Sequence, residues 1–255
     1  MRVPPPDWQD CAVRQRTWTV VVPMKRLGVA KSRLRGTLPA VPHEELALAL
    51  AADTVAAVRA CPAVAGVVMV TSDPRVAAAV GAAGVRVVPD APDAGLNAAF
   101  RLGAAVAADG GGWVAGLTAD LPALRPGELA AALRAIAAGP AGVRRFVADA
   151  PGTGTVLLAA PPGVPLDPRF GVGSAEAHEA SGALPLAGDW PTLRQDVDTA
   201  ADLAAAARLG LGPRTAGLAA RASRRAAPAP PPGPRPGPRA TGSTGATGST
   251  TGRAG

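Results

Sequence analysis

From Thr17 to about Leu209, short apolar runs alternate with longer segments of helical period. Thr17–Val22, Gly66–Thr71, Val85–Val88 and Trp113–Thr118 are rich in β-branched residues and bounded by turn formers, a pattern that predicts buried strands. Between them, Pro42–Ala60, Pro74–Ala83, Leu96–Ala108 and Pro126–Ala138 carry Ala/Leu/Val spacing that predicts helices. Ser72-Asp73-Pro74 supplies capping residues with proline in the first turn, the usual opening of a helix. Arg145–Ala148 and Thr155–Ala160 read as further strands, and Thr199–Leu209 as a last helix. Such alternation implies right-handed βαβ crossovers and a mainly parallel α/β sheet covered on both faces.

Composition sets the boundaries. The Pro-rich segment 1–16 reads as a flexible leader without the apolar stretch of a secretory signal. Residues 17–212 form one domain, and 213–255 reads as a disordered Pro/Ala/Gly/Ser/Thr-rich basic tail. The net charge of +7 would suggest a nucleic-acid partner until it is located. Seven of the 26 basic residues lie in Pro213–Gly255, which has no acidic residue, and the other 19 balance 19 carboxylates in the body. The body is therefore neutral, which argues against nucleic acid. No apolar run is long enough to span a bilayer, and Cys11 and Cys61 lack ligand spacing, so a cytoplasmic protein with two reduced thiols is expected.

Chemistry concentrates at strand ends. The first strand empties into a loop with four cations in nine residues, Lys25, Arg26, Lys31 and Arg33. Open α/β sheets hold ligands beyond the carboxyl ends of their strands, and Lys and Arg match phosphate oxygens. A solvated basic turn would give the same composition. Thr118-Ala119-Asp120-Leu121-Pro122 puts a carboxylate at another strand end, and Asp196-Val197-Asp198-Thr199 follows much later. Carboxylates converging on one crevice would suit Mg²⁺, though Asp120 and Asp198 could equally cap helices. Gly152-Thr153-Gly154-Thr155 offers backbone amides and hydroxyls, and Gly171-Val172-Gly173-Ser174 precedes a helix whose N-terminus could hold an anion. Asn97 either reads a base edge or caps the Leu96 helix. His43 and His178 have no ligand spacing and read as surface or structural residues.

In order, Pro-x-Lys-x-x-x-x-x-Lys-Ser-Arg-Leu, Leu-Asn, Ala-Asp-Leu-Pro, Gly-Thr-Gly-Thr, Asp-Pro-Arg-Phe-Gly and Asp-x-Asp-Thr resemble the 2-phospho-L-lactate/phosphoenolpyruvate guanylyltransferase family of coenzyme F-420 biosynthesis. The likeness runs from about Thr17 to Gly212. It implies a three-layer nucleotidyltransferase fold, nucleotide-diphospho-sugar transferase-like and Rossmann-related. The implied reaction joins GTP and phosphoenolpyruvate to give enolpyruvyl-diphospho-5'-guanosine and pyrophosphate, with hand-off to the downstream enolpyruvyl-phosphate transferase. By the same resemblance Lys25, Lys31 and Arg33 hold the GTP phosphates and Asn97 lies near the nucleoside. Asp120, Asp196 and Asp198 bind Mg²⁺, and Thr155, Gly171 and Ser174 bind phosphoenolpyruvate. The chain departs from the pattern at Ala98, where the family often has a second Asn, and at Ala119, where it has Gly. Alternative readings are a 2-phospho-L-lactate or 3-phosphoglycerate guanylyltransferase, or a molybdenum-cofactor guanylyltransferase. Enzymes of that last kind usually open with a Gly-rich loop, whereas this one is cationic with a single Gly28. A non-catalytic nucleotide-binding scaffold is the reading from another class.

Overall fold

The computed structural model describes residues 18–28 and 30–226. Seven strands form one sheet in the order β3-β2-β1-β4-β6-β5-β7, comprising β1 (Trp18–Pro23), β2 (Val64–Val70), β3 (Arg86–Val88), β4 (Trp113–Leu117), β5 (Arg145–Ala148), β6 (Thr155–Ala160) and β7 (Leu184–Pro185). β1 runs parallel to both β2 and β4, β2 parallel to β3 and β5 parallel to β7. Only β6 is antiparallel to its neighbours, β4 and β5.

The helices are α1 (His43–Ala60), α2 (Pro74–Gly81), α3 (Leu96–Ala108), α4 (Pro126–Ala137), α5 (Ser174–Ala180), α6 (Pro191–Arg194), α7 (Ala200–Leu209) and α8 (Pro213–Ala226), with a 3-10 turn at Ser32–Leu34. The pleat of β1 explains the layering, because successive side chains of a strand point to opposite faces. Val20 and Val22 enter a core with Ala51 and Val55 of α1, Val76 of α2 and Leu129 and Leu133 of α4. Val21 faces the other way, against Ala99 and Phe100 of α3. Helices thus cover both faces. α3 comes very close to the sheet. A Cβ at Gly103 would clash with Val21 and lie 2.8 Å from Val70 Cγ2, so only glycine fits there.

The chain leaves β1 toward β2 and β3 on one side, then crosses to β4 on the other. The crevice between the carboxyl ends of β1 and β4 is the switch point at which such sheets bind ligands. Among the described residues no helix is long and apolar enough to cross a membrane.

The expected disorder from residue 213 onward needs correction. Pro213–Ala226 is helical, with Thr215, Leu218 and Ala222 buried along one face. Leu218 and Ala222 pack with Leu46 and Leu50 of α1 and Leu203 of α7. Asp53, buried within α1, accepts hydrogen bonds from the Arg214 and Thr215 backbone N–H groups at 3.1 and 2.8 Å. A carboxylate at the first turn satisfies donors a helix leaves open and favours its dipole. Arg221 pairs with Glu45 at 2.6 Å. This amphipathic stretch shares the Ala-, Gly- and Arg-rich composition of the residues that follow it, so composition does not mark it off. The 1–16 leader and residues 227–255 lie outside the described residues.

Candidate active site

The basic loop is held from beneath. Met24, Leu27 and Leu34 are buried, which leaves Lys25, Arg26 and Arg33 exposed. Asp73 accepts from the Arg75 and Val76 N–H groups as cap of α2, and also from the Leu27 N–H at 2.9 Å. Burial opposes ionisation of Asp73, but these backbone donors hold its carboxyl below the usual carboxylate range. One side chain thus starts a helix and fixes the loop.

On the facing side, the Ala119–Leu121 turn after β4 is clamped by Thr54 of α1. The Thr54 hydroxyl accepts the Leu121 N–H at 2.9 Å and lies 3.3 Å from the Ala119 carbonyl. The Asp120 carbonyl accepts the Val197 N–H at 3.1 Å, tying the two Asp-bearing segments together.

Lys31 joins the two sides. Its ammonium bonds the Asp120 carboxylate and, at 2.5 Å, Asp198 Oδ1. Burial pulls the Lys31 pKa down, yet the two carboxylates outweigh it and raise it above the ordinary lysine value. Lys31 has a left-handed backbone, φ +53°, uncommon for a side-chain-bearing residue. Asp120 Oδ1 and the Thr118 hydroxyl are buried without a hydrogen-bond partner. A cavity of about 350 Å³ opens here, walled by Lys25, Lys31, Arg33, Asp120 and Asp198, with Leu96 and Phe100 as its apolar side.

Not every expected residue joins this group. Asp196 does not wall the cavity, although burial and then the nearby charges of Asp120 and Asp198 push its carboxyl up to about 7. Among the described residues no three His, Cys, Asp or Glu side chains stand together as metal donors, so the expected Asp120/Asp196/Asp198 trio is not assembled. Asn97 neither caps α3 nor is free to meet a base. Its amide donates to the Phe170 carbonyl at 3.0 Å and accepts the Phe170 N–H at 2.8 Å. The amides of the Gly/Thr turn are committed as well: Asp149 Oδ1 accepts Thr153 N–H and Oδ2 accepts Gly154 N–H. Gly154 is required, because a Cβ would strike that carboxylate. The helix after Gly173 spans only seven residues.

Thr155, Gly171 and Ser174 do not themselves wall the cavity. Leu117 pairs with Leu157 across β4 and β6, and Thr118 N–H donates to the Val156 carbonyl at 3.0 Å. Continuing that antiparallel register sets Thr155 next to Ala119 and Asp120. The Phe170 ring stacks on Phe100 at 4.0 Å between centroids, joining the Gly171 loop to the cavity wall.

Thr54 and His178 were missed by motif reading. Asp53-Thr54 is a polar pair inside an apolar helix, a visible hint of buried partners. His178, expected at the surface or in a structural role, is fully buried, and His43 is also buried. Burial, and next the positive charge of Arg144, lowers the His178 pKa from about 6.5 to about 4, with Arg169 adding to the effect and Asp167 opposing it. A histidine neutral when folded and protonated when unfolded stabilises fully above pH ~6.5 and loses that contribution as pH falls toward ~4. At one pKa unit per ~1.4 kcal/mol, about 2 kcal/mol should be gone by pH 5. Thermal melts at pH 7 and 5 check this: His178→Asn should flatten the difference, and an unchanged difference would contradict the assignment.

Residues 32–164 match the MobA-like NTP transferase domain. A phosphoenolpyruvate guanylyltransferase of Salinispora arenicola is 74% identical over 201 residues, covering 79% of this chain and 92% of that protein. Another, from Geodermatophilus obscurus, is 54% identical and covers 83% of this chain and 98% of its own. Among solved structures, a nucleotide-diphospho-sugar transferase-type protein of Desulfovibrio desulfuricans superposes with TM-score 0.60 at 15% identity, covering 82% of this chain and 96% of that one. That likeness shows a nucleotide-diphospho-sugar transferase-like fold. With the fold, the cationic switch-point cavity and these relatives together, the chain belongs to the phosphoenolpyruvate guanylyltransferase family.

Proposed function

We propose that this enzyme transfers the guanylyl group of GTP to the phosphate of phosphoenolpyruvate, giving enolpyruvyl-diphospho-5'-guanosine and pyrophosphate. The observation that carries the reading is the Lys31 ammonium held between Asp120 and Asp198 at a cavity also walled by Lys25 and Arg33. A cationic wall suits a triphosphate, and paired carboxylates suit the hard cation that accompanies one.

Mg²⁺ fits the residues present. Asp120 Oδ1 is buried with no partner, and Asp198 is half exposed on the same cavity. Two carboxylates, with waters and substrate phosphates, make up a usual Mg²⁺ donor set. When bound, Mg²⁺ supplies neutralisation of the charge that develops on the transferring phosphorus and its leaving group.

The chain's own groups then do the following. Lys25, Lys31 and Arg33 grip the triphosphate and draw negative charge from the departing pyrophosphate. Thr155, Gly171 and Ser174 hold the acid beside the Asp120 turn, so that its phosphate oxygen faces the α-phosphorus. A bond forms from that oxygen to the α-phosphorus, and the bond from the α-phosphorus to its β-bridging oxygen breaks, the electron pair leaving with pyrophosphate. A phosphate is already ionised at neutral pH, so no general base is needed. Catalysis is positioning plus charge neutralisation.

The same reading makes this a cytoplasmic step of coenzyme F-420 biosynthesis whose product passes to an enolpyruvyl-phosphate transferase. Its test is pyrophosphate release from GTP and Mg²⁺ with phosphoenolpyruvate, 2-phospholactate or 3-phosphoglycerate supplied singly. Release should be fastest with phosphoenolpyruvate. Release with another acid alone would replace the acceptor, and none with any would overturn the proposal.

A further inference from the structure

His178 is the one fully buried titratable side chain beside the proposed acid subsite, and nothing in the reaction above uses it. Its two ring nitrogens have different partners. Nε2 lies 2.9 Å from the Arg169 backbone nitrogen, whose N–H can only donate. The accepting nitrogen of a neutral imidazole carries no proton, so the ring proton is on Nδ1. Nδ1 lies 2.9 Å from Thr155 Oγ1. The Nδ1–H therefore donates to the Thr155 hydroxyl, which cannot send its own proton back toward the ring.

The surroundings fix this arrangement. The Phe170 ring stands edge-on to the imidazole at 5.2 Å, and Phe146 lies 5.8 Å away on a tilted plane. Asn97 grips the Phe170 backbone from α3 while His178 grips its neighbour Arg169 from α5. The loop leading to Gly171 is thus pinned from two helices. Below the ordinary histidine range, the ring stays neutral at working pH and keeps this tautomer.

We propose that His178 is a positioning residue that makes the Thr155 hydroxyl an obligate hydrogen-bond donor to the phosphorylated acid substrate. The inference rests on the phosphoenolpyruvate reading of Thr155 and adds what aims that hydroxyl. Without the ring donor, the Thr155 proton is free to turn inward and leave a substrate oxygen unpaired. An anionic acceptor makes such a lost hydrogen bond costly.

Steady-state kinetics with GTP and phosphoenolpyruvate test it. Asn at 178 can set an amide N–H near the Nδ1 position, whereas Gln reaches toward Nε2 and loses the donor to Thr155. His178→Gln and Thr155→Val should each raise KM for phosphoenolpyruvate roughly tenfold or more, with KM for GTP within about twofold. His178→Asn should stay within about threefold of wild type, and the Gln/Val double variant should be no worse than either single one. Equal rises in both KM values, or additive effects in the double variant, would overturn the proposal. If Thr155→Val leaves KM for the acid unchanged, the subsite reading itself fails. If Thr155→Val raises it and His178→Gln does not, only the His178 inference fails. Should His178→Gln not fold, ¹⁵N NMR of the wild-type ring decides: a protonated Nδ1 and bare Nε2 are expected, and the opposite tautomer overturns the proposal.

Discussion

Asp120→Asn should lower turnover by about a thousandfold or more while leaving the protein folded. A loss of that size corresponds to roughly 4 kcal/mol of transition-state stabilisation, the range seen when one preorganised electrostatic partner is removed from a water-poor site. Asp120 is buried, with one carboxylate oxygen bonded to Lys31 and the other, Oδ1, buried without a hydrogen-bond partner. Asparagine keeps the shape but loses the charge that would hold Mg²⁺. The fold has little reason to respond, because the bond from Val197 N–H goes to the Asp120 backbone carbonyl and the turn is held by Thr54. Lys31 also retains Asp198. Turnover at saturating Mg²⁺ together with a thermal melt checks both halves. A near-wild-type rate would show that Asp120 does not hold the metal.

Lys31→Met should act in two opposite directions. Turnover should drop by about two orders of magnitude, as expected when a cation that neutralises the leaving phosphates is lost. Binding of Mn²⁺ or Mg²⁺ without nucleotide should instead tighten about tenfold, because the ammonium no longer competes for Asp120 and Asp198. A lysine that joins Asp120 and Asp198 would compete with a divalent cation for the same carboxylate oxygens and would be free to turn to the phosphates once displaced. Lys31→Arg should not restore activity, since a planar fork does not replace a compact point charge between two carboxylates. Calorimetric metal titration and turnover on the same variant make the check. Unchanged metal affinity with wild-type turnover would contradict the dual role.

What was legible in the sequence was whatever a local pattern encodes. Trp18–Pro23 is rich in β-branched residues and Thr155–Ala160 is a short apolar run that follows a Gly/Thr turn, and both strands lie within a residue or two of where the pattern sets them. Lys25, Lys31, Arg33, Asp120 and Asp198 were identifiable as cavity-lining residues because each lies in a loop that follows a strand or precedes a helix cap. Some of the misreadings involve a partner distant in sequence, others one close at hand that no motif marks. Asn97 is taken up by Phe170, and the Gly/Thr turn by Asp149 on the other arm of the hairpin. Asp196 resembles its neighbour Asp198 in sequence, but only Asp198 walls the cavity. α8 was missed because its stabilising carboxylate, Asp53, lies some 160 residues upstream, at separations of 161 and 162 from the amides it caps. Sequence carries no sign of that pairing beyond an acid where an Ala/Leu helix should be apolar.

In the proposed reaction the acid's phosphate oxygen attacks the α-phosphorus of GTP. This attack is tested most directly by incubating the wild-type enzyme with GTP, Mg²⁺ and phosphoenolpyruvate carrying ¹⁸O in its phosphate, then weighing the products. All of the label should be found in the guanylyl adduct and none in pyrophosphate. Label in pyrophosphate, or formation of GDP in place of the adduct, would contradict the account.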